Sequence, residues 1–327
     1  SYTVDRSMRP VLSFNTYNDI FHFLGEPTYG NIEGEQGDWE FVITKLTDDS
    51  IFVKGKKWEN EMVFTRMADG VDWTSYLDSI ADVQKRLGVN YSVGNSSDAS
   101  KMVEINSATR RILSRTADGQ MVEQPFYVTP TGIHAVNEPV ALGEDKAQDF
   151  LVSKAGVLTA KDNENLTLNS YAPGIDTWVG NWTLSAMQGS CDMTISKVED
   201  QENMLKGTFT AGGYTYNIGL SFNPETGALN LPSQLIDDPS GRYPALWLMN
   251  ADLNKGMLLG QGGMNVVWHG VSQEGDFEDD GTLASEGYAS DTFVALACTA
   301  KGEPIKENNQ YVFVIEWYYL SNLTPNK

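Results

Sequence analysis

Apolar and polar side chains alternate along several segments of the sequence, and this alternation constrains the fold more than any other feature. Cys191, Met193 and Ile195 would share one face of a strand, with polar residues between them. In a second segment, Tyr214–Phe222, every other residue is apolar, and the turn sequence "NPETG" follows it. The pattern predicts antiparallel strands with one buried face and one solvent face, joined by short connections.

One phrase of the sequence occurs twice. Residues 43–55 share five identities with residues 195–207, at a constant spacing of 152 positions. Two explanations stay open: two related β domains, or chance similarity between hairpins that use the same turn residues. We expect the phrase to form one hairpin of a lipocalin-like meander in each of two β domains.

One segment departs from the strand pattern and predicts a helix over residues 72–87. Its apolar residues recur at helical spacing, Asp72 can cap its start, and Gly88 can end it. The apolar stripe consists of Trp73, Tyr76, Leu77, Ile80 and Leu87. We expect this helix to pack on the first β domain.

The length of 327 residues is sufficient for two domains. We place the boundary before Pro173, which predicts an N-terminal β domain of residues 1–172 and a C-terminal barrel-like domain of residues 173–327. The first domain begins partway into a β pattern, so we expect upstream strands to be missing from it. Apart from Glu316, residues 311–320 are apolar on both faces and predict a buried central or barrel-closing strand.

The fold class that follows is all-β. We expect two lipocalin-like (calycin-type) domains, each a barrel or a strongly curved sheet, with one amphipathic helix at about residues 72–87. A small barrel can hold one ligand or be filled by its own side chains, and both alternatives stay open.

The net charge of −21 bears on the partners of the chain. Nucleic acids and anionic membrane surfaces attract lysine and arginine, so we expect neither as a direct partner. The two cysteines, Cys191 and Cys298, have no metal or redox spacing. They fall on an early and a late strand of the second domain, so a disulfide between them and two separate buried thiols are both open.

A search for catalytic motifs finds no nucleophile elbow, zinc-protease helix, phosphate loop or dinucleotide fingerprint in the sequence. His22, His134 and His269 have apolar or turn-like neighbours and no mutual ligand spacing, so we expect structural roles for them. With 44 acidic residues, a hydrolase that uses a carboxylate pair stays open, although the sequence selects no pair.

The segment "GDFEDDG" is the one candidate for a metal site. Asp276, Glu278 and Asp280, followed by Gly281, resemble the first half of a calcium loop. The loop would need a bidentate glutamate at its twelfth position, where this chain has Gly287. We therefore expect a solvated acidic loop and no cofactor, with calcium as the alternative.

Two aromatic residues are candidates for ligand binding. Trp182 has polar neighbours, and Tyr318 lies opposite the regular apolar stripe of its segment. Aromatic faces at a polar rim suit sugars and other flat ligands, whereas core packing is the competing explanation for each residue.

Three strings between Arg9 and Val136 carry a family resemblance: "RPVLSFNTYNDIFHFLGEP", "GDWEFVITKLTDDSIFVKGKKWENEMVFTRM" and "QPFYVTPTGIHAV". Together they resemble a domain-of-unknown-function family of Bacteroides-type secreted surface lipoproteins. The resemblance implies export to the outer membrane, cell surface or periplasm, and outer-membrane nutrient receptors as partners. It also implies a lipid on an N-terminal cysteine that this sequence lacks, so membrane contact would occur only through that lipid. It supplies no catalytic residues.

We therefore expect a non-catalytic surface or periplasmic lipoprotein that assists the binding of a carbohydrate or peptide nutrient. One alternative is a carboxylate-dependent hydrolase, which would turn over a substrate with a bell-shaped pH profile. The other is a structural or adhesive accessory subunit of an outer-membrane receptor complex, which would bind a protein and no small ligand.

Overall fold

The computed structural model describes residues 3–5, 10–17, 21–25, 36–136 and 138–326. The chain divides into two compact units, residues 1–74 and residues 75–327. The fold-class prediction is confirmed, because the protein is mostly β and contains two closed eight-stranded antiparallel barrels and one long helix. Among the described residues, no helix has the length and apolar character required to cross a membrane.

The first unit contains a five-stranded antiparallel sheet with its strands in chain order. Its elements are β1 (Thr3–Asp5), β2 (Val11–Ser13), helix α1 (Phe21–Gly25), β3 (Glu40–Leu46), β4 (Ser50–Gly55) and β5 (Glu61–Thr65). Phe41 is fully buried, and the rings of Phe14, Phe21 and Phe64 surround it. Alternation within β3 and β5 therefore produces one aromatic face.

The repeated phrase forms a hairpin in both places, but the two hairpins differ. The first copy is the β3–β4 hairpin, where Phe41 pairs with Gly55 and a bulge follows Ile43. In the second copy, Ile195 pairs with Gly207 and the register is regular. The expected hairpin therefore occurs in both places, the first copy in the open five-stranded sheet and the second copy in a closed barrel.

The second unit begins with the long helix and the first barrel. Its elements are α2 (Trp73–Arg86), β6 (Asn90–Val93), β7 (Met102–Asn106), β8 (Arg111–Arg115), β9 (Met121–Thr129), β10 (Gly132–Ala135), β11 (Val140–Leu142), β12 (Asp145–Ala147), β13 (Asp149–Val152), β14 (Leu158–Ala160) and β15 (Asn163–Ser170). The barrel order is β10-β13-β14-β15-β6-β7-β8-β9, and β9 pairs with β10 to close it. Strands β11 and β12 form a separate hairpin.

Helix α2 confirms the helix prediction, and Asp72 caps it by accepting a hydrogen bond from a first-turn amide. The buried face overlaps the predicted stripe in part. Val83 is fully buried in the first barrel's core, and the stripe residues Ile80 and Leu87 pack against it, whereas Trp73 and Leu77 are exposed. Hydrophobic spacing predicted the helix and the side that the barrel covers over its C-terminal half, but not the exposure of its first turns.

The second barrel and a second sheet share one hydrophobic core. Their strands are β16 (Gly180–Ala186), β17 (Gly189–Lys197), β18 (Met204–Ala211), β19 (Tyr214–Phe222), β20 (Leu229–Pro232), β21 (Gln234–Ile236), β22 (Ala245–Asp252), β23 (Met257–Leu258), β24 (Gly263–His269), β25 (Glu274–Asp279), β26 (Thr292–Cys298), β27 (Lys306–Glu307), β28 (Gln310–Tyr311), β29 (Phe313–Trp317) and β30 (Asn322–Pro325). The barrel order is β16-β17-β18-β19-β20-β24-β25-β30, and the sheet order is β21-β22-β26-β29 with β23 beside β22.

Strand β30 closes the second barrel, because it pairs with both β16 and β25. The prediction that residues 311–320 form a central or barrel-closing strand is wrong, since β29 lies at the end of the second sheet. Pro232 lies where the chain leaves the barrel as β20 and enters the sheet as β21. A residue without an amide hydrogen suits such a break in strand pairing.

The two cysteines are free thiols on different sheets. Cys298 is buried and Cys191 is half-buried, and burial raises the pKa of both thiols. The disulfide alternative is therefore wrong for this structure. The first barrel ends at Ser170 and the second begins at Gly180, on either side of the predicted boundary at 172/173. The compact units divide elsewhere, so the two-domain boundary stays a prediction.

Candidate functional site

A cleft of about 480 Å³ lies between the two barrels, beside the place where they contact each other, within the second compact unit. The first barrel contributes strands β7, β8 and β9, and the second contributes β24 and β25. The lining residues are Leu87, Gly88, Val89, Glu104, Ile105, Asn106, Ser107, Arg111, Leu113, Glu123, Val267, His269, Ser272, Glu274, Asp276 and Glu278. The volume falls in the range of roughly 300–1,000 Å³ that is typical of small-molecule sites.

Strand β25 presents carboxylates to the cleft. Gly275 and Phe277 face the core of the second barrel, so Glu274, Asp276 and Glu278 face the opposite way and line the cleft. The segment predicted to be an acidic or calcium-binding loop is therefore mostly strand. In the sequence, Gly275 and Phe277 alternate with the acids of residues 274–278, and this alternation indicates a strand with an acidic face.

The structure does not gather the three candidate calcium ligands in one place. Asp276 and Glu278 line the cleft, but Asp280 lies outside it and accepts a hydrogen bond from the Thr282 amide at 2.9 Å. In the part of the chain that the structure describes, no group of three or more His, Cys, Asp or Glu residues could hold a metal ion.

His269 lies between two carboxylates, one from each barrel. Its Nδ1 is 3.2 Å from Oε2 of Glu104, and its Nε2 is 3.3 Å from Oδ2 of Asp276. The second contact is close enough for an ion pair but is not aligned as a hydrogen bond. The hydrogen bond with Glu104 raises the pKa of His269 above its ordinary value, although burial opposes the shift. Both contacts therefore favour the imidazolium form.

Glu104 joins the two barrels. Its Oε1 accepts hydrogen bonds from the backbone amides of Val271 and Ser272, at 2.5 and 2.9 Å. Both amides belong to the turn that connects β24 to β25. From the neighbouring strand β8, Arg115 donates a hydrogen bond to the Val271 carbonyl oxygen at 2.6 Å. The Glu104 carboxylate therefore binds two amide donors of this turn, and the Arg115 guanidinium binds a carbonyl acceptor of the same turn.

Asn90 makes a second connection to this turn. Its Nδ2 donates to the Trp268 carbonyl oxygen at 2.5 Å, and its Oδ1 accepts from the Gly270 amide at 2.9 Å. A Cβ atom at Gly270 would come within 2.7 Å of the Met102 sulfur, so the two barrels approach each other closely here. Hydrogen bonds with Glu104, Arg115 and Asn90 thus fix the turn beside the cleft.

The cleft has a strongly negative lining. Five carboxylates line it, against one arginine and one histidine: Glu104, Glu123, Glu274, Asp276 and Glu278, with Arg111 and His269. Its lining includes no phenylalanine, tyrosine or tryptophan. The cleft therefore offers ion pairing and hydrogen bonding to a ligand, and it offers no stacking platform.

Trp182 lies outside the cleft, in the core of the second barrel. It is 3% exposed, and its Nε1 donates to the Trp178 carbonyl oxygen at 2.8 Å. Its ring lies 5.5 Å from the ring of Trp178 and 6.1 Å from that of Trp268. The polar neighbours of Trp182 face solvent, so in a strand the tryptophan between them must face inward. Its role in ligand binding stays a prediction.

Tyr318 also lies outside the cleft, beyond the end of β29. Its ring packs on a small apolar cluster that includes Met249 and Val294 of the second sheet. Its hydroxyl donates a hydrogen bond to the Glu316 carboxylate, which raises the pKa of Tyr318 to about 12. The structure does not bring Tyr318 and Trp182 together, and ligand binding by Tyr318 likewise stays a prediction.

The other two histidines are not part of the cleft. His134 Nδ1 lies 2.9 Å from Oδ1 of Asp149, and its ring lies against Tyr127. In the first unit, the His22 ring stacks on Trp39. Of the three histidines, His269 alone lines the cleft, and its sequence neighbours did not distinguish it from the others.

These features define an all-β protein of two barrels with an acidic cleft between them. Residues 1–154 match the family model described as "Domain of unknown function (DUF4302)". This similarity supports the predicted resemblance to a domain-of-unknown-function family. No curated protein and no solved structure matches the chain.

Proposed function

We propose that the protein is a non-catalytic binding protein whose inter-barrel cleft takes a positively charged ligand, with a basic peptide as the best candidate. The observation that carries this proposal is the excess of carboxylates on the walls of a ligand-sized cleft. Complementary charge increases both the association rate and the specificity of a site. Of the two nutrient classes expected from the sequence, peptide is favoured, because the cleft lacks the aromatic faces that commonly bind sugars.

The contacts of Glu104 favour binding over hydrolysis at this carboxylate. A carboxylate that acts as a general base must be able to take a proton from water or a nucleophile. Glu104 is 8% exposed, and its oxygens are engaged by His269 and two backbone amides. This carboxylate thus serves the contact between the barrels, which supports a binding role for the cleft.

We propose further that the protein acts at the cell surface or in the periplasm, as a lipoprotein that delivers its ligand to an outer-membrane receptor. The support is the resemblance of residues 9–136 to secreted lipoproteins. Fractionation of cells that express the full-length gene product tests the location. Recovery in the cytosolic fraction would contradict it.

The binding proposal is tested by calorimetric titration of the full chain with three probes: N-acetylated trilysine amide, the corresponding triglutamate peptide, and a panel of oligosaccharides. We expect saturable binding of trilysine alone. Thermal unfolding followed by tryptophan fluorescence gives an independent readout, since a ligand at 100 times its Kd stabilises by about 2.7 kcal/mol. Calcium and a chelator are added to the thermal experiment, because calcium binding stays a prediction.

Two cleft carboxylates, one from each barrel, provide the variants, and exposed glutamates outside the cleft provide the controls. Glu123→Gln with Glu278→Gln should weaken trilysine binding about five- to thirtyfold, because each exposed ion pair contributes roughly 0.5–1 kcal/mol. Glu164→Gln with Glu225→Gln removes the same charge from exposed positions elsewhere and should leave the affinity within about twofold. Equal losses in the two double variants would mean that only the net charge of the chain attracts the peptide.

A further inference from the structure

Each ring nitrogen of His269 lies near a carboxylate oxygen, and a neutral imidazole cannot donate a hydrogen to both. A neutral imidazole has one N–H group and one lone pair, whereas imidazolium donates from both nitrogens. Nδ1 faces Glu104 of the first barrel, and Nε2 faces Asp276 of the second. In the neutral form, either the bond to Glu104 loses its proton or the Nε2 lone pair faces a carboxylate oxygen.

We propose that His269 is a proton-operated switch, whose protonated form tightens the docking of the two barrels and neutralises Asp276, and whose neutral form releases Asp276 to the ligand cleft. The part of this inference that concerns the ligand rests on the proposed function. The part that concerns docking stands on the contacts of His269 and Glu104 alone.

The groups around His269 determine the direction of the switch. On the second barrel, Glu274 is its cross-strand neighbour and Asp276 is diagonal to it. From the first barrel, Glu104 contacts the ring directly. The surrounding carboxylates raise the pKa of His269 and burial lowers it, with the hydrogen bond to Glu104 as the largest cause.

Three other charged groups line the cleft: Arg111, Glu123 and Glu278. Arg115 completes the set, through its hydrogen bond to the turn. Histidine is the side-chain type whose charge ordinarily changes between about pH 5 and 8. Within that range, loss of the His269 proton makes the cleft one charge more negative.

The pH dependence of stability follows from this direction. The folded-state pKa of His269 lies above its unfolded-state value of about 6.5. The stabilising contribution of its proton is therefore fully present below about pH 6.5 and is lost as pH rises through the folded-state pKa. Docking should be tightest at the acidic end of the range, and cation binding should be strongest at the alkaline end.

The docking half is tested without any ligand. Imidazole NMR resonances of the full chain are followed from pH 5 to 9, and with three histidines the signal lost in His269→Gln identifies this residue. Hydrogen exchange of the Val271 and Ser272 amides, expressed as protection relative to an unstructured peptide at each pH, reports the Glu104 contacts. We expect a raised pKa for His269 and about a fivefold loss of protection above it. A pKa at or below the ordinary value, or constant protection, would overturn the switch.

The ligand half uses N-acetylated trilysine amide, whose side chains stay charged throughout this range. Its affinity for the native chain should rise about fivefold across the His269 titration, and His269→Gln should remove this pH dependence. His134→Gln is the matched control, because His134 pairs with a carboxylate at 2.9 Å but lies outside the cleft. A native pH dependence that persists in His269→Gln would refute the release of Asp276.

A probe that binds at no pH would overturn the proposed function and the ligand half together. The NMR and exchange measurements would still decide whether protonation of His269 controls the docking of the barrels.

Discussion

Replacing Asn90 by alanine should loosen the contact between the two barrels, because one side chain satisfies two backbone groups of the opposite barrel. Asn90 is 8% exposed, donates to the Trp268 carbonyl oxygen and accepts from the Gly270 amide. Alanine would leave both groups buried without a partner. A buried polar group without a partner destabilises by about 1–3 kcal/mol, so we expect a loss of about 3 kcal/mol.

This loss is large enough to measure by thermal unfolding. For a unit of residues 75–327, each kcal/mol shifts the Tm by roughly 2–4 °C, so Asn90→Ala should lower it by about 6–12 °C. Circular dichroism and tryptophan fluorescence should report the same shift if the two barrels unfold together. Asn217→Ala is the control, since Asn217 is an exposed strand residue whose side chain accepts one hydrogen bond from Thr208. It should change stability by less than about 0.5 kcal/mol.

The reasoning would be refuted by equal Tm shifts for Asn90→Ala and Asn217→Ala. That result would mean that water satisfies the Trp268 and Gly270 groups when the side chain is removed, or that docking of the barrels contributes nothing to their stability. Asn90→Asp separates the two hydrogen bonds, because it retains an acceptor for the Gly270 amide and loses the donor to the Trp268 carbonyl. We expect it to be destabilising as well, because a carboxylate would then face a carbonyl oxygen.

Three further predictions test the core and the thiols. Trp182→Ala should destabilise the second barrel by about 3–5 kcal/mol and Trp182→Phe by less, both measured by urea unfolding, because the indole is buried. Gly132→Ala should prevent native packing of the first barrel, since its Cβ would lie 1.8 Å from a carbonyl oxygen, whereas Gly174→Ala meets nothing within 4 Å and should be neutral by thermal unfolding. Thiol titration should find two reactive groups in denaturant, with half-buried Cys191 reacting slowly in the native protein and buried Cys298 protected.

Local patterns predicted several elements correctly. Alternation in Tyr214–Phe222 predicted β19 over its full length, and helical spacing over residues 72–87 predicted α2 within one residue at each end. These patterns depend on neighbours along the chain, so the sequence contains them directly. Closure of the second barrel depends on β30 pairing with two distant strands, and no local pattern of residues 311–325 indicates that choice.

The strand period explains two places where the polarity of single residues is ambiguous. The polar neighbours of Trp182 lie on one face of β16, so the tryptophan between them faces the opposite, buried side. The acids of residues 276–280 predicted a loop, but Gly275 and Phe277 follow the period of a strand with a buried face, and residues 274–279 form β25. In both places the alternation of residues carries more information than the polarity of any one of them.

The candidate site could not be predicted from the sequence, because its partners are far apart along the chain. Glu104 contacts a turn 167 and 168 residues later, and Asn90 contacts a group 180 residues later. Within their own strands both residues look like solvent-facing polar positions. Their burial exists only because a second barrel covers them.

The span of the family match has a consequence for the cleft. Residues 1–154 include β6 to β13 but not β14 and β15, and β15 is the strand that pairs with β6 in the first barrel. A chain limited to this span would therefore leave β6 and β13 with unpaired edges, a condition that promotes aggregation. The span also contains Glu104 and Asn90 without the turn that they bind. The cleft, its carboxylates on β25 and its histidine thus require the second barrel, and any activity of the cleft belongs to the whole second unit rather than to the matched residues.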